Sequence, residues 1–298
     1  MKRVRIRATV FYLVPATALL AGVFLIPLAG SFTMSLQNNA GLAGTEGWAG
    51  LDNYARILQS KIFWDVTVQT LVWTVGVVSM TMVVSIGLAL LLRRPFWGRG
   101  LVRVLLMLPW AAALSVSAVV WSFGLRETGL INETLRDVGL SQFAQQWLSQ
   151  PPQSVVTLIL IGTWASIPFT VLMISAGMRS IPAEIFESVS LETSNPFARD
   201  WFFTIPLAKR TIQITAMANA IVIFNSFPLI NVLTGGGPAN KTHILATFLY
   251  SEAFRSQRFA DASAIAVLVS LALIVLAAAY ARQILGSPEG SRTADVKQ

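Results

Sequence analysis

A polar face runs along one apolar segment in the second half of the sequence. Asn219, Ile223 and Ser226 are spaced i, i+4 and i+7, which places them on one side of a helix. Asn225 adds a second amide beside them, and Pro228 interrupts the helix just beyond. Amides and hydroxyls of this kind can hydrogen-bond a neutral polar molecule without acid, base or metal chemistry.

An earlier apolar segment repeats this pattern. Gly162, Ser166 and Phe169 have the same spacing, Trp164 lies nearby, and Pro168 predicts a break in the helix. Polar faces beside broken helices near the middle of a membrane indicate a transport site. Small and polar residues also mediate contacts between membrane helices, and the residues alone support the two interpretations equally.

The sequence carries no group of residues that would support catalysis or bind a metal. It has no cysteine, and its single histidine, His243, belongs to no His-Glu-x-x-His pattern. The glycines at 235–237 lack the Lys-Ser/Thr of a nucleotide-binding loop and instead predict a flexible hinge or re-entrant turn before Pro238. We therefore expect no catalytic residue, no metal site and no cofactor bound by this chain.

The composition is that of a membrane protein. Of the 298 residues, 54% are hydrophobic and 12% are charged, whereas soluble domains are about 25% charged. Six apolar segments are close to the length of about 20 residues that crosses a bilayer. None contains Asp, Glu, Lys, Arg or His, which argues against a proton relay, an ion pump and a membrane-embedded acid–base enzyme. The segments span residues 8–31, 66–92, 104–125, 154–178, 211–233 and 262–281.

The basic residues are distributed asymmetrically around these segments. The N-terminus, residues 93–103, residues 179–210 and the tail from 282 hold 15 Lys and Arg, and the alternate flanks hold 7. The positive-inside rule therefore predicts that both ends are cytoplasmic. The net charge of +8 reflects this topology. Because the basic residues do not alternate with aromatics as in nucleic-acid-binding surfaces, we expect no nucleic-acid partner.

The first apolar segment is interpreted as a retained helix of a single transmembrane domain spanning residues 1–298. Four basic residues precede it, as in a signal peptide, which is the alternative. Its apolar run is longer than the roughly 7–15 residues of a signal-peptide core.

Residues 184–206 form a polar segment between two apolar ones. The pattern predicts a helix over residues 183–193, a break at Ser194-Asn195-Pro196 and a second helix from Pro196. Asn195 is a favourable N-cap, and proline is tolerated in the first turn. The charge rule places this segment in the cytoplasm, where a partner protein can bind it. An ordinary amphipathic loop is the alternative.

This polar segment resembles the EAA loop of ABC-importer permeases, a cytoplasmic coupling helix that docks in a groove of the ATPase subunit. The family's Glu-Ala-Ala and Asp-Gly are replaced here by Glu187-Ser188-Val189 and Glu192-Thr193. The resemblance implies that the segment couples the chain to an ATPase. The residues to which it assigns this role are Glu184, Glu187, Ser188, Glu192, Thr193, Ser194 and Pro206.

Four further strings follow the order expected for sugar-transporting permeases of the maltose and glycerol-phosphate type. They are Gly-Leu-Asp-Asn-Tyr at 50–54, Gly-Leu-Ile-Asn at 129–132, Leu-Thr-Gly-Gly-Gly-Pro at 233–238 and Ala-Asp-Ala-Ser-Ala at 260–264. Together with the coupling segment they cover nearly the whole chain. The resemblance implies an all-α integral membrane protein with six transmembrane helices of the type I ABC importer permease kind, both ends in the cytoplasm and a cytoplasmic coupling helix.

The resemblance also implies a cargo and partners. It predicts sugar import across the cytoplasmic membrane of a prokaryote, with a second homologous permease, an ABC ATPase dimer that uses ATP and Mg²⁺, and an extracytoplasmic solute-binding protein. We expect a solute pathway lined by Trp164, Ser166, Phe169, Asn219, Asn225 and Ser226. The sugar contacts of the larger maltose permease subunit carry over onto Gly162, Ala165, Ser166, Phe169, Asn219, Val222, Ile223 and Ser226.

Two of those positions cannot hydrogen-bond a sugar, since Val222 and Ile223 are aliphatic. The cargo should therefore differ from a maltodextrin or be held mainly by the second permease. Two alternatives stay open. One is a permease for glycerol 3-phosphate or another polyol phosphate, and the other is a membrane subunit with an assembly or sensing role and no transport activity.

Overall fold

The computed structural model describes residues 2–39 and 45–285, and most of them are helical. The first helices are α1 (Lys2–Ser35), α2 (Asp52–Gln59), α3 (Lys61–Arg93), α4 (Arg99–Ala111), α5 (Leu114–Gly124), α6 (Leu130–Asp137) and α7 (Gln153–Arg179). They are followed by α8 (Ala183–Glu192), α9 (Pro196–Arg199), α10 (Ile205–Leu207), α11 (Lys209–Phe224), α12 (Phe227–Leu233), α13 (Leu245–Tyr250) and α14 (Phe259–Leu285). Single π-helical turns at Asp200–Thr204 and Ser251–Arg255 join α9 to α10 and follow α13.

The described residues also include a small antiparallel β-hairpin, which modifies the all-α expectation. Strand β1 (Gln37–Asn39) pairs with β2 (Thr45–Trp48) directly after α1. The side chain of Asn53 stabilises the chain reversal from α1 into β1, because its buried amide donates to the carbonyls of Ser35 and Gln37 at 2.8 Å each.

Four helices of the described chain are long and apolar enough to cross a membrane, within α1, α3, α7 and α14. The number rises to six if each of two bent helix pairs counts as one span. The apolar segments of the sequence thus become helices, and the structure extends several of them beyond the predicted bounds.

The third apolar segment is not the single helix that its hydropathy predicts. It divides into α4 and α5, which meet at an angle of 97°. Pro109 cannot donate a backbone hydrogen bond in the last turn of α4, and Ala112 adopts an extended conformation with φ −93° and ψ 139°. The segment therefore forms a sharp elbow, which is tolerated at membrane depth only where protein or a cavity surrounds it.

The two predicted proline breaks have different outcomes. The fifth segment bends by 45° between α11 and α12, and Pro228 occupies the first turn of α12, where it loses no needed hydrogen bond. The fourth segment is uninterrupted, so the break predicted at Pro168 is wrong: this residue lies inside the continuous helix α7. Hydroxyls of Ser166 and Thr170 donate to carbonyls one turn back at 2.8 Å, and such bonds help membrane helices to accommodate proline.

The chain divides into two compact units. The first combines Met1–Phe63 with Phe248–Val275, and the second combines Trp64–Thr247 with Leu276–Gln298. In the second unit a buried apolar cluster joins α3, α5, α7, α11 and α12, and includes Trp73, Val77, Leu158 and Ile230. Burial of such large side chains stabilises the packing around the break between α11 and α12.

The glycine-rich string after α12 forms a compact turn, as the sequence predicted a turn at this place. Gly235 and Gly236 have φ of 58° and 88°, a conformation that glycine adopts without strain. The Thr242 hydroxyl lies 2.7 Å from that of Thr234 and 2.6 Å from the Gly237 carbonyl oxygen. These hydrogen bonds close the turn.

Candidate functional site

A cavity of about 440 Å³ in the second unit, here called the polar cavity, contains most of the predicted solute-binding residues. It lies among the elbow between α4 and α5, the middle of α7, and the break between α11 and α12. No ionisable side chain of the described residues lines it. The residues that line it are Pro109, Trp110, Ala112, Leu114, Gly162, Ala165, Ser166, Phe169, Asn219, Val222, Ile223, Ser226 and Leu229.

Asn219 supplies the amide of the polar cavity and also links two helices. It is only 4% exposed, and its Nδ2 donates to Thr170 Oγ1 on α7 at 2.9 Å. Its Oδ1 is left as the group that could accept a hydrogen bond from a solute hydroxyl. Asn219 therefore fits both interpretations of the sequence, because its side chain packs two helices together and can also contact a solute.

The other polar and aromatic groups of the cavity come from both helices. Ser166 on α7 and Ser226 in the break after α11 carry hydroxyls, and Phe169 keeps 37% of its surface exposed. Ser166 Oγ donates to the Gly162 carbonyl, which leaves its lone pairs available to accept. The site thus offers hydrogen-bonding groups and an aromatic face in a mostly apolar wall.

Trp73, which the sequence did not indicate, holds the wall of the cavity together. It is 2% exposed on α3, and its indole Nε1 donates to the carbonyl of Ile223 at 2.9 Å. The helix break leaves backbone carbonyls near its end short of helical partners, and this indole provides one. Gly162 has no side chain because the indole occupies the space: a Cβ there would lie 2.5 Å from Trp73 Cη2.

Two residues predicted for the solute pathway lie outside the cavity lining. Trp164 points to Trp121 instead, with ring centroids 5.5 Å apart in an edge-to-face arrangement. Asn225 ends α11, and its Nδ2 lies 3.4 Å from the Ile221 carbonyl oxygen. Neighbouring residues of a helix point in different directions, and the spacing in the sequence alone could not show which of them face the cavity.

The elbow between α4 and α5 contributes lining residues that sequence reasoning missed. Pro109, Trp110 and Leu114 reach the polar cavity from this elbow, and Trp110 is 64% exposed. Pro109 in the middle of an apolar run was the available signal, since proline marks kinks in membrane helices.

The predicted coupling segment folds as two short helices with a break between them. Helix α8 exposes one face, and its other face includes buried Val189. The exposed residues recur at i, i+3, i+4, i+7 and i+8, the spacing of a single helical face. They are Glu184, Glu187, Ser188, Leu191 and Glu192.

The break after α8 forms as the sequence predicts. Thr193 is extended, and Asn195 caps α9 by accepting a hydrogen bond from the Phe197 amide at 2.9 Å. Ser194 is exposed in the break, and Pro206 is exposed within α10. The predicted coupling residues are therefore exposed, except for half-buried Thr193.

Two arginines at the end of α3 contact the predicted coupling segment, whereas in the sequence they indicate membrane topology alone. Arg94 pairs with the buried carboxylate of Asp200. Arg93 places its guanidinium 3.5 Å from the ring centre of Phe186 on α8 and donates to Thr204 Oγ1 at 3.2 Å. A displacement of α8 must therefore act on α3.

The strings at 50–54, 129–132 and 260–264 supply buried polar groups that fix loops. Asn132 is fully buried and bonds the Arg126 and Gln145 carbonyls, the Gln145 amide and Trp147 Nε1. In the first unit, Arg56 bridges Asn53 and Asp261. These residues act in the scaffold. Among the described residues no group of three His, Asp or Glu could hold a metal ion.

The part of the chain that forms the polar cavity and the exposed helix α8 also matches a known protein family in sequence. The family described as "Binding-protein-dependent transport system inner membrane component" matches residues 81–286. The chain belongs to this family. It is a multi-pass inner-membrane permease component of an ABC transporter and not an enzyme.

Relatives support this membership over most of the chain. A probable ABC transporter permease protein of Brucella suis biovar 1 is 35% identical over 273 residues, covering 91% of this chain and 94% of the relative. The trehalose/maltose transport system permease protein of Thermococcus litoralis is 28% identical and covers 80% of this chain and 81% of the relative.

Solved structures confirm the fold. A bacterial ABC transporter involved in the import of the acidic polysaccharide alginate contains a chain with a TM-score of 0.81 at 20% identity, covering 96% of this chain and 98% of that one. The alginate transporter in complex with an alginate pentasaccharide-bound periplasmic protein gives 0.77 at 20% identity, covering 95% of this chain and 97% of that chain. The predicted type I importer permease fold is confirmed by this likeness.

Proposed function

We propose that this permease moves a neutral carbohydrate through a pathway that includes the polar cavity. The observation that carries the proposal is the cavity lining. Four of the six residues predicted to line the pathway, and all eight positions carried over from the resemblance, belong to this lining. Among the described residues the lining combines an amide, hydroxyls and an aromatic face without a charge. Such groups suit sugars, which present many hydroxyls and an apolar ring face. The trehalose/maltose transport named for one relative supports a carbohydrate cargo.

A polyol phosphate is less well matched by this cavity. A phosphate group calls for a cationic partner such as Arg, and no Lys, Arg or His lines the cavity in this chain. Such a cargo would have to obtain its cation from another subunit. A neutral sugar needs no such addition.

The chain would act without chemistry on its cargo. ATP and Mg²⁺ would be used by a separate ABC ATPase dimer whose groove receives the exposed face of α8. The charge distribution, with both ends and residues 184–206 on the cytoplasmic side of six spans, puts α8 where that ATPase could bind. Closure of the ATPase dimer would move α8, and the contacts of Arg93 and Arg94 would pass this motion to α3.

Two further partners complete the proposed importer. Residues of this chain line the polar cavity, but Val222 at its edge is 66% exposed. A second, homologous permease would close this side of the pathway. An extracytoplasmic solute-binding protein would deliver the sugar, as the periplasmic protein in the complex with the alginate transporter suggests by analogy.

The first step of the test is assembly. The native protein and a Glu187→Ala variant are purified in detergent, and the copurifying subunits and their ATP hydrolysis are measured. We expect the native protein to bring down a second permease and an ATPase, and the variant to lose the ATPase or its cargo-stimulated hydrolysis. Purification without an ATPase, under conditions that preserve comparable importers, would favour the assembly or sensing alternative.

The second step separates solute contact from helix packing. Asn219→Leu and Thr170→Val both remove the hydrogen bond between α7 and α11, but only Asn219 lines the polar cavity. With sugar uptake as the readout, we expect Asn219→Leu to lower uptake while assembly and basal hydrolysis persist, and Thr170→Val to transport nearly normally. Equal losses in both variants would assign Asn219 to packing and refute its role as a sugar contact.

A further inference from the structure

A second cavity, of about 420 Å³, lies where α3 and α7 end and α4 begins. We call it the arginine cavity, because four arginines line it and no carboxylate does. Arg93 ends α3, Arg179 ends α7, and Arg99 and Arg103 lie one turn apart on α4. Binding of a neutral solute in the polar cavity uses none of these charges.

The charges of this cavity are poorly compensated by the protein. In the described residues, no ion pair involves Arg99, Arg103 or Arg179, and the buried Nε of Arg99 has no hydrogen-bond partner. Asp200, the acid that acts on Arg93, is paired with Arg94. The first turn of α4 contains no acid and its N-terminus has no side-chain cap, although the helix dipole there favours negative charge. The uncompensated positive charge of the arginine cavity therefore favours binding of an anion.

Apart from Ser175, the rest of the cavity wall is apolar. Leu92, Leu106, Met107, Leu172 and Met178 line it together with the arginines. Next to it, α4 exposes Leu101, Val104 and Leu105, which are 64%, 62% and 53% exposed. A free inorganic anion would gain nothing from these surfaces, whereas the acyl chains of a lipid would bury against them.

The cavity also lies at the depth where a lipid headgroup would be. Helices α3 and α7 are both apolar enough to span the membrane, and Arg93 and Arg179 are their last residues. Basic pockets between transmembrane helices on the cytoplasmic side bind anionic headgroups. We propose that the arginine cavity binds one anionic phospholipid, with its phosphate held by the arginines and an acyl chain against the apolar wall.

Binding at this place would reach the coupling segment. Arg93 lines the arginine cavity and also contacts Phe186 on α8 and Thr204. A bound phosphate would fix Arg93 and with it the position of α8. This consequence rests on the proposed coupling function, but the binding itself does not.

The test measures lipid binding directly, so its outcome is separate from that of the transport proposal. The delipidated protein, with any copurifying subunits, is titrated with phosphatidylglycerol, phosphatidylcholine or inorganic phosphate, and bound lipid is counted by native mass spectrometry. The cavity variant is Arg99→Gln/Arg103→Gln. The matched control is Lys209→Gln/Arg210→Gln, which removes the same charge from two exposed residues that do not line the cavity.

We expect the native protein to bind one phosphatidylglycerol tightly. The cavity variant should bind it about tenfold to thirtyfold more weakly, because it loses the electrostatic attraction between the anionic headgroup and two arginines. The control should change binding less than threefold. Arg179→Gln, a single change at an exposed residue, gives a second measurement if the double variant is unstable.

Three results would overturn the proposal. Equal weakening in the cavity variant and its control would show general attraction of anionic lipid to a basic surface. Competition by inorganic phosphate as strong as that by phosphatidylglycerol would assign the cavity to a free anion. Loss of a copurifying subunit without any change in bound lipid would identify the cavity as a protein contact.

Discussion

Replacing Gly162 with alanine tests the packing that shapes the polar cavity. The added Cβ would lie 2.5 Å and 3.2 Å from Trp73 Cη2 and Cζ2, and 3.1 Å from Val77 Cγ2. Carbon atoms in good contact are about 3.5–4.0 Å apart, so the indole would have to retreat by about 1 Å. Since its Nε1 is bonded to the Ile223 carbonyl on α11, that movement would also strain the hydrogen bond at the helix break.

The expected cost follows from these two effects. Overpacking a core costs about 1–3 kcal/mol, and a lost hydrogen bond about 0.5–1.5 kcal/mol. The better helix propensity of alanine offsets about 1 kcal/mol. We therefore expect Gly162→Ala to lower the free energy of unfolding by roughly 1–3 kcal/mol, and to lower sugar uptake because the cavity wall moves.

Two other helical glycines provide matched controls for SDS-induced unfolding of the purified protein. A Cβ at Gly76 would lie 2.8 Å from Cδ1 of Ile159, the end of a flexible side chain, so Gly76→Ala should cost less. A Cβ at Gly87 would have no atom within 4 Å, so Gly87→Ala should be neutral or stabilising.

A double variant adds an internal check on the clash. Trp73→Phe removes the two ring atoms nearest position 162, so Gly162→Ala should cost less in the Trp73→Phe background than alone. The reasoning is refuted if Gly162→Ala unfolds at the same SDS concentration as Gly87→Ala.

Two further predictions concern buried polar groups in the scaffold. Asn132→Leu leaves several buried groups without partners, Trp147 Nε1 among them. It should lower the free energy of unfolding in SDS by at least about 3 kcal/mol. A loss no larger than that of Glu133→Ala, at an exposed neighbour, would contradict this. Burial raises the pKa of Glu252 above its ordinary 4.5. The charge of Arg258 opposes this rise, and the charge of Asp261 adds to it. The folded state then keeps this proton to higher pH than the unfolded chain, so the contribution of Glu252 to stability is complete below pH 4.5 and is lost as pH rises through the raised pKa. Glu252→Gln should remove that fall, and parallel unfolding-temperature profiles of native and variant against pH would exclude it.

The strings that resemble the family turned out to serve the fold more than the transport site. Asn53, Asn132 and Asp261 are buried and bonded within loops, so a sequence that keeps them keeps the loops. The polar cavity contains none of these three. This explains why the resemblance predicts the architecture well and leaves the exact cargo undecided.

The sequence by itself determined the helical segments, the faces they present and the coupling segment. Hydropathy and length define apolar helices, and the 3.6-residue period placed Asn219, Ile223 and Ser226 on the face that lines the polar cavity. Local chemistry was also sufficient at Asn195, whose cap depends on its nearest neighbours along the chain.

Only the tertiary structure decided which groups meet across helices. Thr170 binds the amide of Asn219 from 49 residues away, Trp73 binds the Ile223 carbonyl from 150 away, and Arg94 reaches Asp200 from 106 away. No local pattern encodes such pairs, because they depend on how the helices pack. Periodicity gives the face of a helix, and the packing of the other helices against it determines what that face contacts.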